Sequence, residues 1–154
     1  MIGKVFGDIA DAIQTGQFGE RVRVGVTVAG SELGIDNIIK GAVLDVAVDI
    51  RKGSPTFGQR VAVELTEDNH RQLFVPRGFA HGFSVLSEEA IFQYKCDNLY
   101  APQAEGAIAW NDPEIGIDWG LPAEDVLLSA KDAAHPLLKD SEYLFDYNVD
   151  YYAE

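Results

Sequence analysis

The sequence predicts an all-β fold, a sandwich or barrel of antiparallel strands, and two signals carry that prediction. Apolar residues alternate with polar or small ones at the period of a half-buried strand, as in segment 21–28, where four valines occupy every second position. Turns rich in Gly, Pro, Asp and Asn separate such runs at short intervals, as at 52–55. Strands at this spacing favour an antiparallel sandwich or barrel over an α/β sheet.

The individual elements follow from these signals in chain order. Strands are predicted at residues 21–28, 44–50, 60–65, 71–75, 82–86 and 90–96. Helix is scarce: residues 8–14 fit a short helix because Ile9 and Ile13 share a face, and residues 124–130 fit a second helix or a 3₁₀ turn. No repeat, low-complexity tract or interdomain linker is visible, so we expect a single domain over residues 1–154.

Length, charge and cysteine content restrict the class of protein. A chain of 154 residues can bury a substantial core. Twelve basic against 25 acidic residues give a net charge of -13, which is a poor match for nucleic-acid phosphates or anionic membranes, although one locally basic pocket can still bind a small phosphorylated ligand. The single cysteine, Cys96, excludes an internal disulfide framework and indicates a cytoplasmic protein. We expect no signal peptide, and no apolar run reaches the roughly 18 residues needed to span a bilayer.

Four motifs between residues 40 and 138 carry a family resemblance. They read GAVLDVAVDIRKGSPTFGQ, RQLFVPRGFAHGFSVLSEEAIFQYKC, AEGAIAWNDPEIGIDW and LSAKDAAHPLL. Together they closely resemble the dTDP-4-dehydrorhamnose 3,5-epimerase family of nucleotide-sugar enzymes. The resemblance implies a cupin-like jelly-roll barrel with few short helices, a homodimer, no metal or organic cofactor, and a dTDP-4-keto-6-deoxyhexose as substrate. Residues 1–39 are atypical of the family, and residues 140–154 are an acidic, tyrosine-rich C-terminal tail that could pack across a subunit boundary.

Epimerisation beside a ketone defines the groups that such a site needs. Protons on the flanking carbons are acidic because the carbanion delocalises into an enolate. The enzyme therefore supplies a base on one face, an acid on the other, and a donor or cation for the enolate oxygen. By resemblance, Tyr94 is the catalytic proton donor, His81 contacts the substrate, and Asp132 orients the base histidine. Glu105 and Lys131 match substrate-binding positions, with the lysine near phosphate.

Spacing alone leaves a structural alternative open for each of these residues. Tyr94 fits a core tyrosine with its hydroxyl at the rim, and His81 fits a buried histidine bonded to the backbone. Asp132 fits a helix cap or a turn. Glu105 and Lys131 fit solvated surface charges.

Two further features of the motifs are interpreted as structural. Asp45 and Asp49 share one face of a predicted strand and form a carboxylate pair of the kind used in acid–base chemistry. Because such pairs on a surface strand are usually solvated, we expect both to be exposed and without a catalytic role. The WNDPEIGIDW stretch is expected to be a turn whose two tryptophans close the barrel.

The family's base histidine has no counterpart in this sequence. No histidine precedes His70, and the family's Arg-Gly-Leu-His segment is absent. Gly34 and Asn37 stand where the family's enolate-stabilising lysine and a following arginine are expected. Leu99 stands where some members place an aromatic residue that stacks on thymine.

Three residues are candidates to replace the missing base histidine. His70 follows Glu-Asp-Asn in what reads as an exposed turn, which makes it a poor substitute. His135 lies close to Asp132 in the sequence. Asp36 could serve only in a buried setting that strengthens its basicity.

Three functional hypotheses result. The first is an isomerase, a dTDP-4-dehydrorhamnose 3,5-epimerase-like enzyme of deoxysugar biosynthesis that abstracts and returns protons through an enolate. Under this hypothesis, the N-terminal third of the chain either has diverged from the family or is a rearranged segment joined to an epimerase body. The second is a non-catalytic jelly-roll protein that keeps the sugar-nucleotide pocket. A metal cupin is least favoured, because the three histidines show no paired metal-ligand spacing.

Overall fold

The described part of the chain consists of short strands and single-turn 3₁₀ helices, which confirms the all-β prediction. A computed structural model describes residues 24–27 and 34–153, and for 24–27 and 34–37 the description covers the backbone. The strands are β1 (Val24–Thr27), β2 (Gly34–Lys40), β3 (Ala42–Asp49), β4 (Arg51–Lys52), β5 (Arg60–Thr66), β6 (Gln72–Val75), β7 (Phe79–Val85), β8 (Ile91–Cys96) and β9 (Phe145–Asp146). The 3₁₀ helices are Pro102–Ala104, Ala123–Asp125, Asp132–Ala134 and Leu138–Asp140.

The two predicted helical segments have different outcomes. The helix predicted at 8–14 lies outside the described residues. The segment predicted at 124–130 contains a 3₁₀ turn that covers only Ala123–Asp125. In the part of the chain that the structure describes, no helix has the length and apolar character needed to cross a bilayer.

Two antiparallel sheets face each other. Their strand orders are β1-β7-β3-β5 and β6-β2-β8. The chain crosses between the two sheets from β1 to β2 to β3 and again from β5 through β8, whereas β3 and β5 are neighbours in one sheet, as in the cupin-like jelly roll that was expected. Gly41 turns the chain from β2 directly into β3. Its φ is +80°, and a Cβ there would collide with the backbone of the 87–90 loop, so only glycine fits this corner.

Strand β3 is buried on both faces, which sets the environment of every polar group that it carries. Val43 packs between the sheets with Ile38 of β2 and Leu65 of β5. Val46 and Val48, on the other face, pack beneath a covering segment formed by residues 107–138. A side chain on either face of β3 is therefore removed from water.

The covering segment is held by hydrogen bonds that involve its two tryptophans. The indole of Trp119 donates to the carbonyl of Trp110 at 2.9 Å. The hydroxyl of Ser84, on β7, donates to the carbonyl of Trp119 at 2.7 Å. Asp112 accepts from the backbone N–H of Leu138 at 2.7 Å and closes the segment on itself. The WNDPEIGIDW stretch is thus a structural turn, as predicted.

The C-terminal tail lies against strands of its own chain. Strand β9 pairs in parallel with β4, which places Phe145 opposite Arg51. The backbone N–H of Arg77 donates to the hydroxyl of Tyr152 at 3.0 Å, and the Arg77 guanidinium lies 5.2 Å from the centre of that ring. Contacts of both kinds anchor residues 145–152 beside the end of β3.

Candidate active site

A histidine–carboxylate pair lies between the two sheets. His81 is on β7 and Asp45 on the adjacent β3, and the imidazole Nε2 lies 2.6 Å from the carboxylate Oδ1. Asp45 is completely buried, whereas 19% of the His81 side chain is exposed. Because an ionised carboxylate can only accept a hydrogen bond, Nε2 donates to Asp45. The hydrogen-bond partner at Nε2 is therefore a side chain, in place of the backbone group considered from the sequence.

The expectation that Asp45 and Asp49 are solvated is wrong. Their exposed fractions are 0% and 1%. Asp45 lies against His81 of the neighbouring strand, and Asp49 is enclosed by the 51–56 segment that follows it. The prediction failed because alternation along one strand shows which residues share a face and leaves open what covers that face.

The two aspartates differ in how they are paired. Asp49 accepts from Arg51 Nε and Nη2 at 2.8 Å and from the hydroxyls of Ser54 and Thr56 at 2.6 Å. Burial raises the pKa of Asp49, but the hydrogen bonds from Arg51, Ser54 and Thr56 outweigh it and hold that pKa far below its usual range. Asp45 has the contact with His81, and its Oδ2 is buried without a hydrogen-bond partner among the described residues. Asp49 is thus a structural anchor, whereas Asp45 carries unused acceptor capacity.

An aromatic row connects His81 to Tyr94. The His81 ring lies 6.3 Å from the ring of Phe92 on β8, and Phe92 lies 6.1 Å from the ring of Tyr94, with distances measured between ring centres. Tyr94 follows Phe92 by two positions and so shares its face of the strand. The Tyr94 side chain is 58% exposed. It is therefore accessible to solvent and is no core tyrosine.

Glu105 and Lys131 are brought together, although 26 positions separate them in the sequence. The Glu105 carboxylate accepts from the ammonium group of Lys131 and from the hydroxyl of Tyr100. Donation by Lys131, and then by Tyr100, lowers the pKa of Glu105. The bond to Glu105 in turn raises the pKa of Tyr100. Glu105, Lys131 and Tyr100 thus form one connected polar network.

Asp132 forms a local turn with Ser129. Its Oδ2 accepts from the Ser129 hydroxyl at 2.7 Å, and its backbone N–H donates to the same hydroxyl at 3.1 Å. The other oxygen lies 3.5 Å from Nε2 of His135, which is too far for a good hydrogen bond. The turn considered from the sequence is therefore present, and a role for Asp132 in orienting a base stays a prediction.

The remaining sequence-based candidates are less well placed. His70 is exposed in a turn and has a left-handed φ of +51°. Asp36 pairs with Tyr94 in the register of β2 and β8, but the side chains of residues 34–37 lie outside the described part. Leu99 is almost fully exposed. Among the described residues, no three His, Cys, Asp or Glu side chains converge as metal ligands.

Comparisons with known proteins connect this arrangement to one family. A sequence model of the dTDP-4-dehydrorhamnose 3,5-epimerase family matches residues 32–140. A dTDP-4-dehydrorhamnose 3,5-epimerase from Salmonella typhimurium is 61% identical over 98 residues, which are 64% of this chain and 53% of that protein. The enzyme of the same name from Methanothermobacter thermautotrophicus is 48% identical over 109 residues, or 70% of this chain and 59% of that protein. This chain thus spans little more than half the length of these relatives.

A solved structure extends the similarity to the fold. It is a dTDP-6-deoxy-D-glucose-3,5-epimerase from Legionella pneumophila in complex with dTDP-4-keto-L-rhamnose. It is 47% identical to this chain and superposes with a TM-score of 0.76, covering 84% of this chain and 70% of that one. The similarity confirms the cupin-like jelly roll.

Proposed function

The chain belongs to the dTDP-4-dehydrorhamnose 3,5-epimerase family, and on that premise we propose that it epimerises a dTDP-4-keto-6-deoxyhexose through an enolate. The supporting observation is the row in which His81 and Tyr94 flank Phe92 between the sheets. One end of this row is buried beside Asp45 and the other opens to solvent. A sugar ring that enters the barrel mouth would meet two groups able to transfer protons.

Tyr94 is proposed as the acid that returns a proton to the enolate carbon. A phenol is a proton donor at neutral pH, and the exposed side chain of Tyr94 is accessible to a substrate carbon. The reaction transfers protons alone and requires no redox step, so it proceeds without an organic cofactor. Asp132 stays a proposed orienting residue at the edge of the site.

Lys131 is proposed to bind the diphosphate of the substrate, with Glu105 as the group that positions it. A chain with a net charge of -13 repels a nucleotide diphosphate, so binding depends on local cations. The Lys131 side chain is half-exposed, and Glu105 holds it through one of its three N–H donors. A phosphate oxygen can accept from another of them.

The outer face of the β6-β2-β8 sheet is proposed to form the interface of a homodimer. Phe74 and Ile91 are half-exposed there, and large apolar side chains on one sheet face are typical of protein contacts. Replacing Ile91 with Lys should then convert a dimer into a monomer in sedimentation velocity. A wild-type protein that sediments as a monomer would contradict the proposal. The cytoplasm is the proposed location.

Exchange of substrate protons with solvent tests the proposed activity. The protein is incubated with a dTDP-4-keto-6-deoxyhexose in deuterium oxide, and deuterium at the carbons on either side of the ketone is measured by NMR. Exchange at one or both carbons is expected, together with an inverted product. The alternative is a binding protein without turnover. In that case dTDP would stabilise the folded protein against heat, but no deuterium would appear at either carbon.

A further inference from the structure

The loop formed by residues 97–106 carries two of the three groups of the Lys131 network. It leaves strand β8, contains the Pro102–Ala104 helix and provides Tyr100 and Glu105. Tyr100 and Lys131 both donate to the Glu105 carboxylate. The position of the loop therefore determines where the ammonium group of Lys131 is held.

We propose that residues 143–152 of the C-terminal tail form a brace that positions this loop for binding a nucleotide diphosphate, with Arg77 as the positioning residue that joins the two. The inference rests on the proposed function, because the brace has this role only if Lys131 binds phosphate. It assigns a part in ligand binding to a segment that the proposed function does not use.

Arg77 connects the beginning of the loop to the end of the brace. Its Nε donates to the carboxylate of Asp97 at 3.1 Å, and its Nη2 donates to the same oxygen. Its Nη1 donates to the carbonyl of Tyr151, and its backbone N–H donates to the hydroxyl of Tyr152 at 3.0 Å. The side chains of Arg77 and Asp97 are 20% and 29% exposed, so water screens their ion pair only in part. One planar guanidinium thus holds two segments that are distant in the sequence.

Tyr143 contacts the other end of the loop. A Cβ at Gly106, the residue after Glu105, would lie 2.5 Å from Cγ and 2.6 Å from Cβ of Tyr143. Because the Cβ of Tyr143 is fixed to its backbone, no rotation of the tyrosine side chain relieves this collision. Glycine at position 106 therefore allows the brace to pack directly against the loop.

The brace is itself attached to the barrel, so it can hold the loop in place. The backbone N–H of Phe145 donates to the carbonyl of Ile50 at 3.2 Å. The backbone N–H of Tyr147 donates to the carbonyl of Lys52 at 3.0 Å. These attachments lie between the two contacts with the loop along the chain. Both ends of the loop are thus tied to one fixed segment.

A loop that is already in position favours binding. When only a fraction of the molecules has the binding arrangement, the apparent dissociation constant is raised by the inverse of that fraction. A variant in which the loop keeps this arrangement about a tenth of the time therefore binds about tenfold more weakly.

Calorimetric titration of the full chain with dTDP tests the brace. Arg77→Met removes the contact at the beginning of the loop and Tyr143→Ala the contact at its end, and each should weaken dTDP binding about tenfold. Tyr143→Phe keeps the ring against Gly106 and should restore the wild-type affinity. Tyr147→Ala is the matched control, because this half-exposed tail tyrosine lies over Arg51 at 5.1 Å, and it should bind dTDP as the wild type does.

Gly106→Ala disturbs the same contact from the side of the loop. Its Cβ should displace Tyr143 and weaken dTDP binding in the same direction as Tyr143→Ala. Since both variants remove one contact, the double variant should be weaker than wild type by less than the product of the two single effects.

Hydrogen exchange and kinetics distinguish positioning from a general loss of stability. In Arg77→Met and Tyr143→Ala, amide exchange measured by mass spectrometry should become faster in peptides that cover residues 97–106 and stay unchanged in β3 and β7. In an epimerisation assay, KM for the nucleotide sugar should rise while kcat is unchanged, because the proposed acid Tyr94 lies on β8, outside the loop.

The outcomes that contradict the inference differ from the one that contradicts the proposed function. A wild-type protein that does not bind dTDP would remove both. A dTDP affinity within about threefold of wild type in both Arg77→Met and Tyr143→Ala would overturn the brace alone. An equal loss of affinity in Tyr147→Ala, or a loss without faster exchange in the loop, would also overturn it. If Arg77→Met does not fold, Tyr143→Ala decides by the same measurements, because its side chain is 56% exposed.

Discussion

Removal of the negative charge from Asp49 tests the contrast between the two buried aspartates. In Asp49→Asn, one carboxylate oxygen becomes an NH₂ group that faces donors. Oδ1 accepts from the N–H and Nε of Arg51, and Oδ2 accepts from Arg51 Nη2 and two hydroxyls. The amide NH₂ therefore faces at least one N–H donor of Arg51 in either orientation, and every remaining hydrogen bond loses the negative charge of its acceptor. Hydrogen bonds to charged groups contribute about 1.5–3 kcal/mol each. We therefore expect a loss of about 3 kcal/mol in the free energy of unfolding, or roughly 6–12 °C in Tm.

Urea unfolding at pH 7, followed by tryptophan fluorescence, measures this loss. Asp45→Asn is the matched control on the same strand face and disturbs a single hydrogen bond, so it should cost less than about 1.5 kcal/mol. A loss at Asp49→Asn of under about 1 kcal/mol, or an equal loss at both positions, would refute the reasoning.

The pH dependence of unfolding provides a second check on Asp49. Its pKa is lower in the folded protein than in the unfolded chain, where it is about 3.9. The stabilisation by the ionised carboxylate is therefore complete above that value and is lost as the pH falls toward the folded pKa. The stability difference between wild-type protein and Asp49→Asn should accordingly shrink as the pH is lowered from 5 to 2. A difference that stays constant would contradict the assigned ionisation.

Three further substitutions address other parts of the molecule. Gly41→Ala should lower the free energy of unfolding by more than about 2 kcal/mol in urea titrations, because it combines a left-handed φ with a collision against a neighbouring loop. Lys131→Met should weaken dTDP binding about tenfold in calorimetry. It should change Tm by little, because the ion pair of Lys131 with Glu105 is partly exposed to solvent. A large drop in Tm with unchanged dTDP binding would show that Lys131 stabilises the fold and does not bind the ligand. Asp112→Ala should cost about 1–3 kcal/mol in thermal unfolding, because it leaves the buried N–H of Leu138 without its acceptor.

The pattern of apolar and polar residues predicted the strands in which the two types alternate clearly. It failed for strands that form only because they pair with neighbouring strands. Strands β3 and β5 to β8 lie at or near their predicted positions. Strand β2 was not predicted, because its sequence GIDNIIK contains Gly, Asp and Asn, which are rare in strands. Its pairing with both β6 and β8 compensates for those residues. Strand β9 has two residues, too few for any periodicity.

The sequence predicted which residues belong to the candidate site, but not which residues they contact. The motifs identified His81, Tyr94 and Lys131, but the partner of each depends on register or on tertiary contact. Ala47 lies opposite His81 in the β3–β7 register, and Asp45 lies two positions further along the same face. That register is a property of the assembled sheet, so Asp45 was interpreted as a surface residue.

The short β4–β9 ladder has a consequence for how the chain matures during synthesis. It joins residues 51–52 to residues 145–146, and Arg77 meets Tyr152 in the same region. On a ribosome, the valine-rich face of β3 emerges long before its covering segment and its C-terminal anchor. Nascent chains therefore display an apolar sheet face through most of translation, and chaperone capture or self-association competes with closure of the barrel during that interval.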